Sequence, residues 1–363
     1  MNSKLFSFKF LCLLMLFVGV CSCSDNDDDF SWQEGSKVEL PRLRAFILNE
    51  GSYQMNNATI TFFDPLHKTN NIDDIYLVQN EKHLGDTGQD IIEYDDNIYV
   101  SVYGSNYVAK LNGAGVEQCR FVPSAELGQP RYLAAEDGKI YVTLYGGYVA
   151  RLNAETLQLE KTVKVGNNPE YITEENDKLY CVNSGWGKDN RLSIIDIKTF
   201  DTAEQVEIFG NPDKVISCEN HIYLQGYGGD YPNYTYPVAV YNTEKKTFET
   251  IGKGTHIAAF DDMLYVINSE TDWSTMTTKN TFYSYNTTNK SVINNSFLNN
   301  IPEELNSASI YMFNINEDTG EFYIGTSKFK DGNGEIYRFK ANGSFVEKFV
   351  SGGQSPRKIV FAD

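Results

Sequence analysis

The sequence has few of the residues on which enzyme active sites usually depend. Only four of its 363 residues are histidines, and one of them, His221, falls in a predicted tight turn between two strands. It contains no Gly-x-Ser-x-Gly nucleophile motif, no His-Glu-x-x-His metal motif and no glycine-rich phosphate loop. We therefore expect no catalytic residues, no metal and no cofactor, and we interpret the protein as a non-enzyme.

Basic residues are scarce as well. The chain carries 31 lysines and arginines against 49 aspartates and glutamates, which gives a formal net charge of −18. A surface this acidic repels phosphate backbones and anionic surfaces. Nucleic acid is therefore excluded as an expected partner, and the charge is interpreted as a source of solubility.

The cysteines do not form a recognisable zinc or disulfide framework. Three of the six lie within the first 23 residues, and the others are Cys119, Cys181 and Cys218. Their spacing matches no zinc-binding pattern, and an odd number cannot all form disulfides. We expect them to be small buried apolar residues, although the sequence leaves their redox state open.

The N-terminus carries an apolar run, residues 10–20, that follows Lys4 and Lys9. The run is shorter than the about 20 residues needed to span a bilayer. A small residue, Ser22, precedes Cys23, as in the cleavage sites of bacterial lipoproteins. The pattern predicts a lipoprotein signal peptide over residues 1–22 and lipid attachment at Cys23, so that the mature chain has a formal charge of −20.

An acidic stretch, Ser-Asp-Asn-Asp-Asp-Asp at residues 24–29, follows the predicted lipid attachment site. It has too little apolar surface to fold alone. We assign residues 23–40 to a lipidated acidic tether and linker. Residues 41–363 are assigned to one folded domain.

A short apolar strand pattern that contains a tyrosine repeats along this domain. The tyrosines are at 99, 141, 180, 223, 265 and 323, so the successive steps are 42, 39, 43, 42 and 58 residues. Strand repeats with a period near forty are typical of β-propellers, in which each repeat is a four-stranded blade. Residues 44–48 supply a seventh copy. The sequence thus predicts an all-β, seven-bladed β-propeller with the tyrosines packed between blades.

A second pattern, Gly-x-x-Pro or a variant of it, marks the innermost strand of several blades. Residues 355–363 repeat this pattern, but no second strand follows them. Residues 44–48, in turn, have no convincing first strand before them. We expect the C-terminal strand to complete the first blade, because an open blade would expose unpaired strand edges.

The loops between second and third strands are rich in aromatic residues. In a propeller these loops lie on one face around the central channel, together with the connections between blades. Aromatic side chains supply stacking area, and the adjacent glycines would let the backbone approach a ligand closely. The predicted ligand-binding residues are Tyr53, Tyr103, Tyr145, Trp186, Tyr227, Trp273 and Phe329 in the loops, with Arg131 and His256 in the innermost strands.

Two strand copies, Leu-Tyr-Cys-Val-Asn at 179–183 and Leu-Tyr-Val-Ile-Asn at 264–268, resemble the Tyr-Val-Thr-Asn repeat of seven-bladed propellers. With its lipoprotein signal and its serine–acidic stretch, the chain also resembles the surface lipoproteins of the Bacteroidetes that capture vitamin B12 and related corrinoids. The resemblance implies a planar, amide-fringed ligand and an outer-membrane TonB-dependent transporter as partner. It also implies display on the outer face of the outer membrane, with membrane contact through the lipid anchor only.

The sequence leaves other functions open. A glycan- or protein-binding propeller of unknown ligand would use the same aromatic face, and lactonases and lyases also use this scaffold. A histidine and carboxylate cluster at the channel mouth would favour an enzyme, whereas a flat aromatic strip would favour a glycan.

Overall fold

Seven antiparallel sheets follow one another along the chain and form the blades of a β-propeller. The computed structural model describes residues 31–67, 70–272, 274–275, 277–293 and 295–362. The predicted signal peptide, the lipid attachment residue Cys23 and the candidate residue Trp273 lie outside the described residues. The predicted all-β class and the seven blades are confirmed.

Six blades have four strands each, numbered here in chain order with the innermost strand first. The first blade begins with β1 (Arg44–Asn49) and β2 (Thr59–Phe63). The second blade consists of β3 (Gly88–Tyr94), β4 (Asn97–Val102), β5 (Tyr107–Asn112) and β6 (Glu117–Phe121). The third blade consists of β7 (Pro130–Glu136), β8 (Lys139–Leu144), β9 (Tyr148–Asn153) and β10 (Leu159–Lys164). The fourth blade consists of β11 (Pro169–Glu174), β12 (Lys178–Asn183), β13 (Arg191–Asp196) and β14 (Ala203–Glu207).

The remaining strands complete the ring. The fifth blade consists of β15 (Pro212–Cys218), β16 (His221–Gly226), β17 (Pro237–Asn242) and β18 (Thr247–Lys253). The sixth blade consists of β19 (His256–Phe260), β20 (Met263–Asp272), β21 (Thr277–Asn286) and β22 (Ser291–Ile293). The seventh blade consists of β23 (Ile310–Ile315), β24 (Phe322–Thr326), β25 (Glu335–Phe339) and β26 (Phe345–Val350). The last strand, β27 (Pro356–Ala362), belongs to the first blade.

The first blade is closed by the C-terminal strand, as predicted. Strand β27 pairs antiparallel with β1, with Phe46 opposite Val360. Strand β2 lies on the other side of β1, and the outermost position of the blade is held by a single β-bridge between Phe62 and Ile72. Helix α1 (Ile75–Asn80) follows this bridge, and its buried residues join the core of the first two blades.

Helical structure is sparse in the described part of the chain. Apart from α1 there are short 3₁₀ helices at Ser31–Gln33, Gly185–Gly187, Glu303–Asn306 and Phe329–Asp331. None of the described helices has the length and apolar character needed to span a membrane.

The tyrosines of the second strands pack in the protein interior, as predicted. The buried ones are Tyr99, Tyr141, Tyr180, Tyr223 and Tyr323, and Tyr265 is half-buried. The Tyr99 hydroxyl donates a hydrogen bond to the carbonyl oxygen of Ala154 in the next blade at 2.9 Å. Each repeat therefore helps to hold its neighbour, which explains why the tyrosine recurs with the blade period.

Tight turns between the first and second strands lie at one end of the propeller, which we call the lower face. In the third blade, Asp137 and Gly138 have φ values of 50° and 69°, the left-handed conformation of a two-residue type I′ hairpin turn. His221 follows the corresponding turn of the fifth blade, as predicted. The longer loops between second and third strands therefore gather at the opposite, upper face.

Candidate ligand-binding funnel

The innermost strands begin at the upper face with an irregular register. Six of the seven pairings of an innermost strand shift register near its start, and the β19–β20 pairing stays regular from His256 onwards. Such a bulge redirects the side chain of the extra residue. The bulge residues that line the central channel include Gln89, Arg131, Asp213, Tyr311 and Arg357.

These side chains surround a cavity of about 1200 Å³ that we call the funnel. All seven innermost strands contribute to its lining, so the funnel follows the axis of the propeller. Towards the lower face its wall contains small side chains, such as those of Ala135 and Ala259, and also polar ones, such as those of Glu174 and Ser217. The bulge residues at the starts of the innermost strands lie at the upper end of the funnel.

Arg131 is held by several fixed partners. Its guanidinium donates two hydrogen bonds to one carboxylate oxygen of Glu170, at 2.7 and 3.0 Å, and another to the side-chain oxygen of Gln89. The second Glu170 oxygen accepts from the Tyr145 hydroxyl at 2.7 Å. Only 15% of the Arg131 side chain and 6% of the Glu170 side chain are exposed. Burial alone would lower the pKa of Arg131, but the Glu170 carboxylate together with Tyr132 and Tyr145 outweighs burial, so the pKa lies above its ordinary value.

Arg357 and Lys358, on the closing strand β27, continue this arrangement. Arg357 donates to Glu50 and to the Tyr132 hydroxyl, and the Lys358 ammonium lies 2.9 Å from the Asp90 carboxylate. These pairs satisfy buried charge within the protein. We define the paired wall as the three ion pairs Arg131–Glu170, Arg357–Glu50 and Lys358–Asp90.

The side of the funnel formed by the fifth and sixth blades is different. Within the described part of the chain, the Asp213 carboxylate has no hydrogen-bond or ion-pair partner, and Lys214 donates only to the carbonyl oxygen of Ile257, at 2.9 Å. Gln225 lies opposite Lys214 on β16, is 3% exposed, and has a side-chain oxygen with no partner. We call Asp213, Lys214, Gln225 and His256 the open wall.

The titratable groups of the open wall have shifted pKa values. Burial, followed by repulsion from Glu170, raises the pKa of Asp213 to about 6. Burial, followed by the charge of Lys358, lowers the pKa of Lys214 to about 8. Burial, followed by the charge of Lys214, lowers the pKa of His256 to about 3. At neutral pH, His256 is therefore neutral, while Asp213 and Lys214 are both largely ionised.

The upper rim of the funnel carries exposed aromatic side chains. Those that line the funnel are Tyr53, Trp186, Tyr227 and Phe329, which are 66%, 70%, 39% and 56% exposed. A single exposed aromatic is ordinary, but several around one opening form the kind of patch that marks a binding surface. Tyr103 and Tyr145 lie deeper and are half-buried, with ring centres 5.5 Å apart.

Two of the rim residues, Trp186 and Phe329, have backbone conformations that bulky residues rarely adopt. Their φ values are 54° and 50°. A serine two residues earlier holds each turn: the backbone N–H of Trp186 donates to the Ser184 hydroxyl at 3.2 Å, and that of Phe329 donates to the Ser327 hydroxyl at 2.9 Å. Strain of this kind costs about 1–3 kcal/mol and concentrates at functional sites. Both rings are exposed, so packing in the protein interior does not compensate for this strain.

Two glycines beside the deeper aromatics Tyr103 and Tyr145 are closely surrounded by other parts of the chain. A Cβ atom on Gly146, next to Tyr145, would lie 2.3 Å from the carbonyl oxygen of Glu126. A Cβ atom on Gly104 would lie 2.6 Å from the Asp86 carboxylate. The close neighbours belong to the chain itself, so these glycines allow adjacent loops to pack rather than a ligand to approach.

The structure brings most of the predicted ligand-binding residues together. Those that line the funnel are Tyr53, Tyr103, Arg131, Tyr145, Trp186, Tyr227, His256 and Phe329. Trp273 lies outside the described residues. Contact of these residues with a ligand stays a prediction.

Sequence reasoning missed most of the charged residues of the funnel. A usable signal was present, because the residue directly after the proline of an innermost strand is charged in four blades. These residues are Arg131, Glu170, Asp213 and Arg357. A comparison of the residue after this proline in successive blades would have identified the charged residues at the centre of the funnel.

The chemistry of the described residues favours binding by polar and aromatic contacts. No group of three or more histidine, cysteine, aspartate or glutamate side chains among them could hold a metal ion. Cys181 is free and buried, as predicted, whereas Cys119 and Cys218 are free and only half-buried. Burial raises the pKa of all three thiols.

Comparison with solved structures finds other propellers at low sequence identity. A quinonprotein alcohol dehydrogenase-like protein from Bacteroides thetaiotaomicron has a TM-score of 0.62 and 15% identity over 87% of this chain and 78% of that chain. Apo AztD from Citrobacter koseri has a TM-score of 0.53 and 10% identity, with coverage of 88% and 98%. The dihydro-heme d1 dehydrogenase NirN in complex with DHE has a TM-score of 0.54 and 11% identity, with coverage of 90% and 76%. These likenesses show the fold alone.

Comparison with curated protein sequences finds no match. A family profile described as "Domain of unknown function (DUF5074)" matches residues 44–350. The matched segment contains six complete blades and strands β1 and β2 of the first blade. The chain therefore belongs to the DUF5074 family.

Proposed function

We propose that the protein binds a corrinoid such as vitamin B12 in the funnel. The observation that carries this proposal is a wide axial funnel with exposed aromatic rings, two of which are held at its rim by strained turns. A corrin ring is broad and planar, so rim aromatics can stack against it or meet its edge. The protein is then a binding protein, and the corrinoid is its cargo.

The size of the funnel supports a ligand larger than an ordinary metabolite. Pockets for drug-sized ligands have volumes of about 300–1,000 Å³. The funnel, at about 1200 Å³, lies above that range. A macrocycle with projecting side chains uses such a volume, whereas a small planar metabolite would leave most of it filled with water.

The rigidity of the paired wall supports tight binding. Capture of a dilute ligand requires a preformed site, because ordering of side chains on binding reduces affinity by about 0.5–1.5 kcal/mol for each one. Arg131 and Arg357 are already fixed by several acceptors each. The ligand therefore meets a site whose shape is set in advance, and stacking and hydrogen bonds are the main contributions to binding.

One structural neighbour gives limited support. It is the dihydro-heme d1 dehydrogenase NirN in complex with DHE, and it shares the propeller fold with this chain at 11% identity. A fold of this kind is thus compatible with a haem-derived ligand. At this identity, no residue of that protein is carried over to this chain.

An enzymatic function is the second candidate, because His256 and Asp213 both line the funnel. However, Nδ1 of His256 lies 2.9 Å from the Thr255 hydroxyl, and no described carboxylate contacts the imidazole. The charges that depress the pKa of His256, after burial, are those of Lys214 and Arg357, so cations surround this residue. A histidine with a pKa of about 3 is a poor general base near neutral pH. We therefore favour binding over catalysis.

We also propose that the protein acts at the cell surface and passes its ligand to an outer-membrane TonB-dependent transporter. The support is the lipoprotein signal of residues 1–22 and the acidic tether of residues 23–40. Cys23→Ala should release the protein from the membrane fraction, whereas Cys181→Ala, which removes a buried thiol, should not. Protease added to intact cells should degrade the wild type. Complete protection in intact cells would contradict surface display.

The proposed ligand is tested by calorimetric titration of the soluble domain, residues 31–363, with cyanocobalamin. We expect one bound molecule per chain and coelution of the red ligand with the protein on size exclusion. No detectable binding at micromolar concentrations would reject the corrinoid. A glycan- or protein-binding propeller of unknown ligand would then be the surviving hypothesis.

A further inference from the structure

We propose that the open wall is a subsite for a primary amide of the ligand, with Asp213 accepting from the amide N–H and Lys214 donating to the amide oxygen. This inference rests on the proposed function and deepens it, because it names the chemical group that the funnel recognises. The argument uses the hydrogen-bonding capacity, the surroundings and the charge of the two residues.

Both residues have unused hydrogen-bonding capacity. An ionised carboxylate has about four acceptor positions, and an ammonium has three donors. Within the described part of the chain, Asp213 accepts no hydrogen bond and Lys214 donates one, to the backbone of Ile257. The side-chain oxygen of Gln225, on the adjacent strand, is buried and also has no partner there. A ligand group that matches these donors and acceptors would form hydrogen bonds that the described residues do not supply.

The order of the blades explains why Asp213 has no partner. By register against the second strands, equivalent positions in the third to sixth blades hold Arg131, Glu170, Asp213 and Thr255. Arg131 forms its ion pair with Glu170, its neighbour in the ring. Asp213 therefore follows a carboxylate that repels it and precedes an uncharged residue, and the nearby Arg357 forms its ion pair with Glu50.

Charges of both signs surround the subsite, which selects a neutral polar group. Asp213 faces Glu170 on β11, Arg131 on β7, Arg357 on β27 and its neighbour Lys214 on β15. Arg131 and Arg357 are already paired with carboxylates, so the charges that remain are those of Asp213 and Lys214, which are opposite in sign. Neither a cationic nor an anionic ligand group therefore gains a net attraction. A primary amide has no net charge and offers a donor and an acceptor side by side. It fits both residues at once.

The aromatic rim lies next to this subsite. The backbone N–H of Tyr227 donates to the carbonyl oxygen of Asn211 at 3.0 Å, so Tyr227 lies beside the start of the strand that carries Asp213. The Asp213 carboxylate, followed by burial, raises the pKa of Tyr227, which agrees with this placement. A macrocycle that stacks at the rim near Tyr227 would direct a side-chain amide downwards to Asp213. Both residues are mostly charged near pH 7, which lies between the pKa of Asp213, about 6, and the pKa of Lys214, about 8.

The test compares two corrinoid probes by calorimetry at pH 7.5. One is cyanocobalamin, and the other is the heptamethyl ester of dicyanocobyrinic acid, whose esters accept hydrogen bonds but cannot donate them. Asp213→Ala should weaken cyanocobalamin binding about 10-fold, and Asp213→Asn, which keeps an acceptor oxygen but loses the charge, should weaken it less. Neither variant should change ester binding by more than about twofold. Lys214→Met should weaken binding of both probes. Asp177→Asn, on the lower face, is the matched control and should change neither.

The outcomes separate this inference from the proposed function. If cyanocobalamin binds the wild type and the Asp213 variants weaken both probes equally, or weaken neither, the amide subsite is overturned and the corrinoid proposal stands. If the wild type binds neither probe, both are overturned. Thermal unfolding of each variant shows that it is folded, so a loss of binding by Asp213→Asn is not a loss of structure.

Discussion

The two walls of the funnel use charge in opposite ways. On the paired wall, Arg131 and Arg357 each meet a carboxylate and further acceptors, so their hydrogen-bonding capacity is used within the protein. On the open wall, neither Asp213 nor Lys214 forms an ion pair with any described residue. The difference indicates two roles for charge near the axis: one wall fixes the shape of the funnel, and the other offers donors and acceptors to a ligand.

The paired wall also belongs to the closure of the ring. Glu50 directly follows β1, and Arg357 lies on β27, so this ion pair joins residues 307 positions apart in the chain. The backbone N–H of Glu50 also donates to the carbonyl oxygen of Ser355 at 2.9 Å. Stability and site geometry are therefore coupled on this wall. The coupling is weaker on the open wall, where Lys214 donates to the Ile257 carbonyl oxygen of the next blade but Asp213 forms no hydrogen bond or ion pair with any described residue. Asp213 can therefore be altered with less effect on the fold.

Removal of the closing strand should have the largest effect, because it dismantles the paired wall. A chain that ends at Gln354 loses all of β27, with Arg357 and Lys358, and exposes the edge of β1. We expect a loss of more than about 5 kcal/mol, comparable to the whole stability of many domains. Thermal unfolding followed by circular dichroism measures this loss, with a chain ending at Ala362 as control. An unchanged melting temperature would show that β27 does not close the ring.

A single change on the paired wall should have the next largest effect. Glu170→Gln leaves the Arg131 guanidinium nearly buried without its carboxylate, which should reduce the free energy of unfolding by about 3 kcal/mol. The matched control is Asp177→Asn, which breaks an exposed pair with Lys198 and should change the free energy of unfolding much less. Urea denaturation measures both values. Equal effects of the two variants would remove the distinction between a fixed wall and an ordinary surface.

Truncation of a rim aromatic should affect binding and leave stability nearly unchanged. Trp186→Ala should weaken cyanocobalamin binding by about 1–3 kcal/mol if the indole lies against the ligand. Trp186→Gly should also relieve the strain at φ 54° and stabilise the free protein slightly. Calorimetry and thermal unfolding of the two variants separate these effects. Unchanged affinity in both would exclude Trp186 from the site.

The smallest expected effect is a gain of stability on the open wall. The folded-state pKa of Asp213, about 6, exceeds the ordinary value of 3.8, so the folded protein holds this proton more tightly. The associated stability is present below about pH 4 and is lost as the pH rises through about 6. Asp213→Asn avoids that loss and should be more stable than the wild type at pH 7.5. We expect a gain of about 1–2 kcal/mol, which is smaller than the pKa difference alone would give because water in the funnel screens the charge. At pH 4.5 the difference in urea denaturation should be much smaller, and a destabilised variant at pH 7.5 would contradict the raised pKa.

The fold could be predicted because the repeated residues are those that a blade requires. Tyr99 and Tyr141 recur because each packs against the next blade, and Pro130 recurs where an innermost strand begins and a missing N–H does little harm. The exception is the outer edge of the first blade, where a single bridge between Phe62 and Ile72 replaces a regular strand. Residues 64–74 contain no strand pattern from which this could be inferred.

The candidate site could be predicted only in part. Aromatic loop residues such as Trp186 are visible in the sequence, but the left-handed backbone of Trp186 is not, because the sequence leads one to expect that conformation only at the flanking Gly185 and Gly187. Glu170 and Asp213 both follow a proline and look equivalent in the sequence. They differ because Arg131 reaches Glu170 from the preceding blade, whereas the residue that precedes Asp213 in the ring is Glu170 itself. That distinction depends on the order of residues around the axis.

The most direct test of this account is a crystal structure of the protein with cyanocobalamin bound. The account predicts a corrin ring at the upper mouth of the funnel, in contact with Trp186, Tyr227 or Phe329, and a side-chain amide within hydrogen-bonding distance of Asp213. A ligand bound at the lower face or on the outer strands of a blade would contradict it.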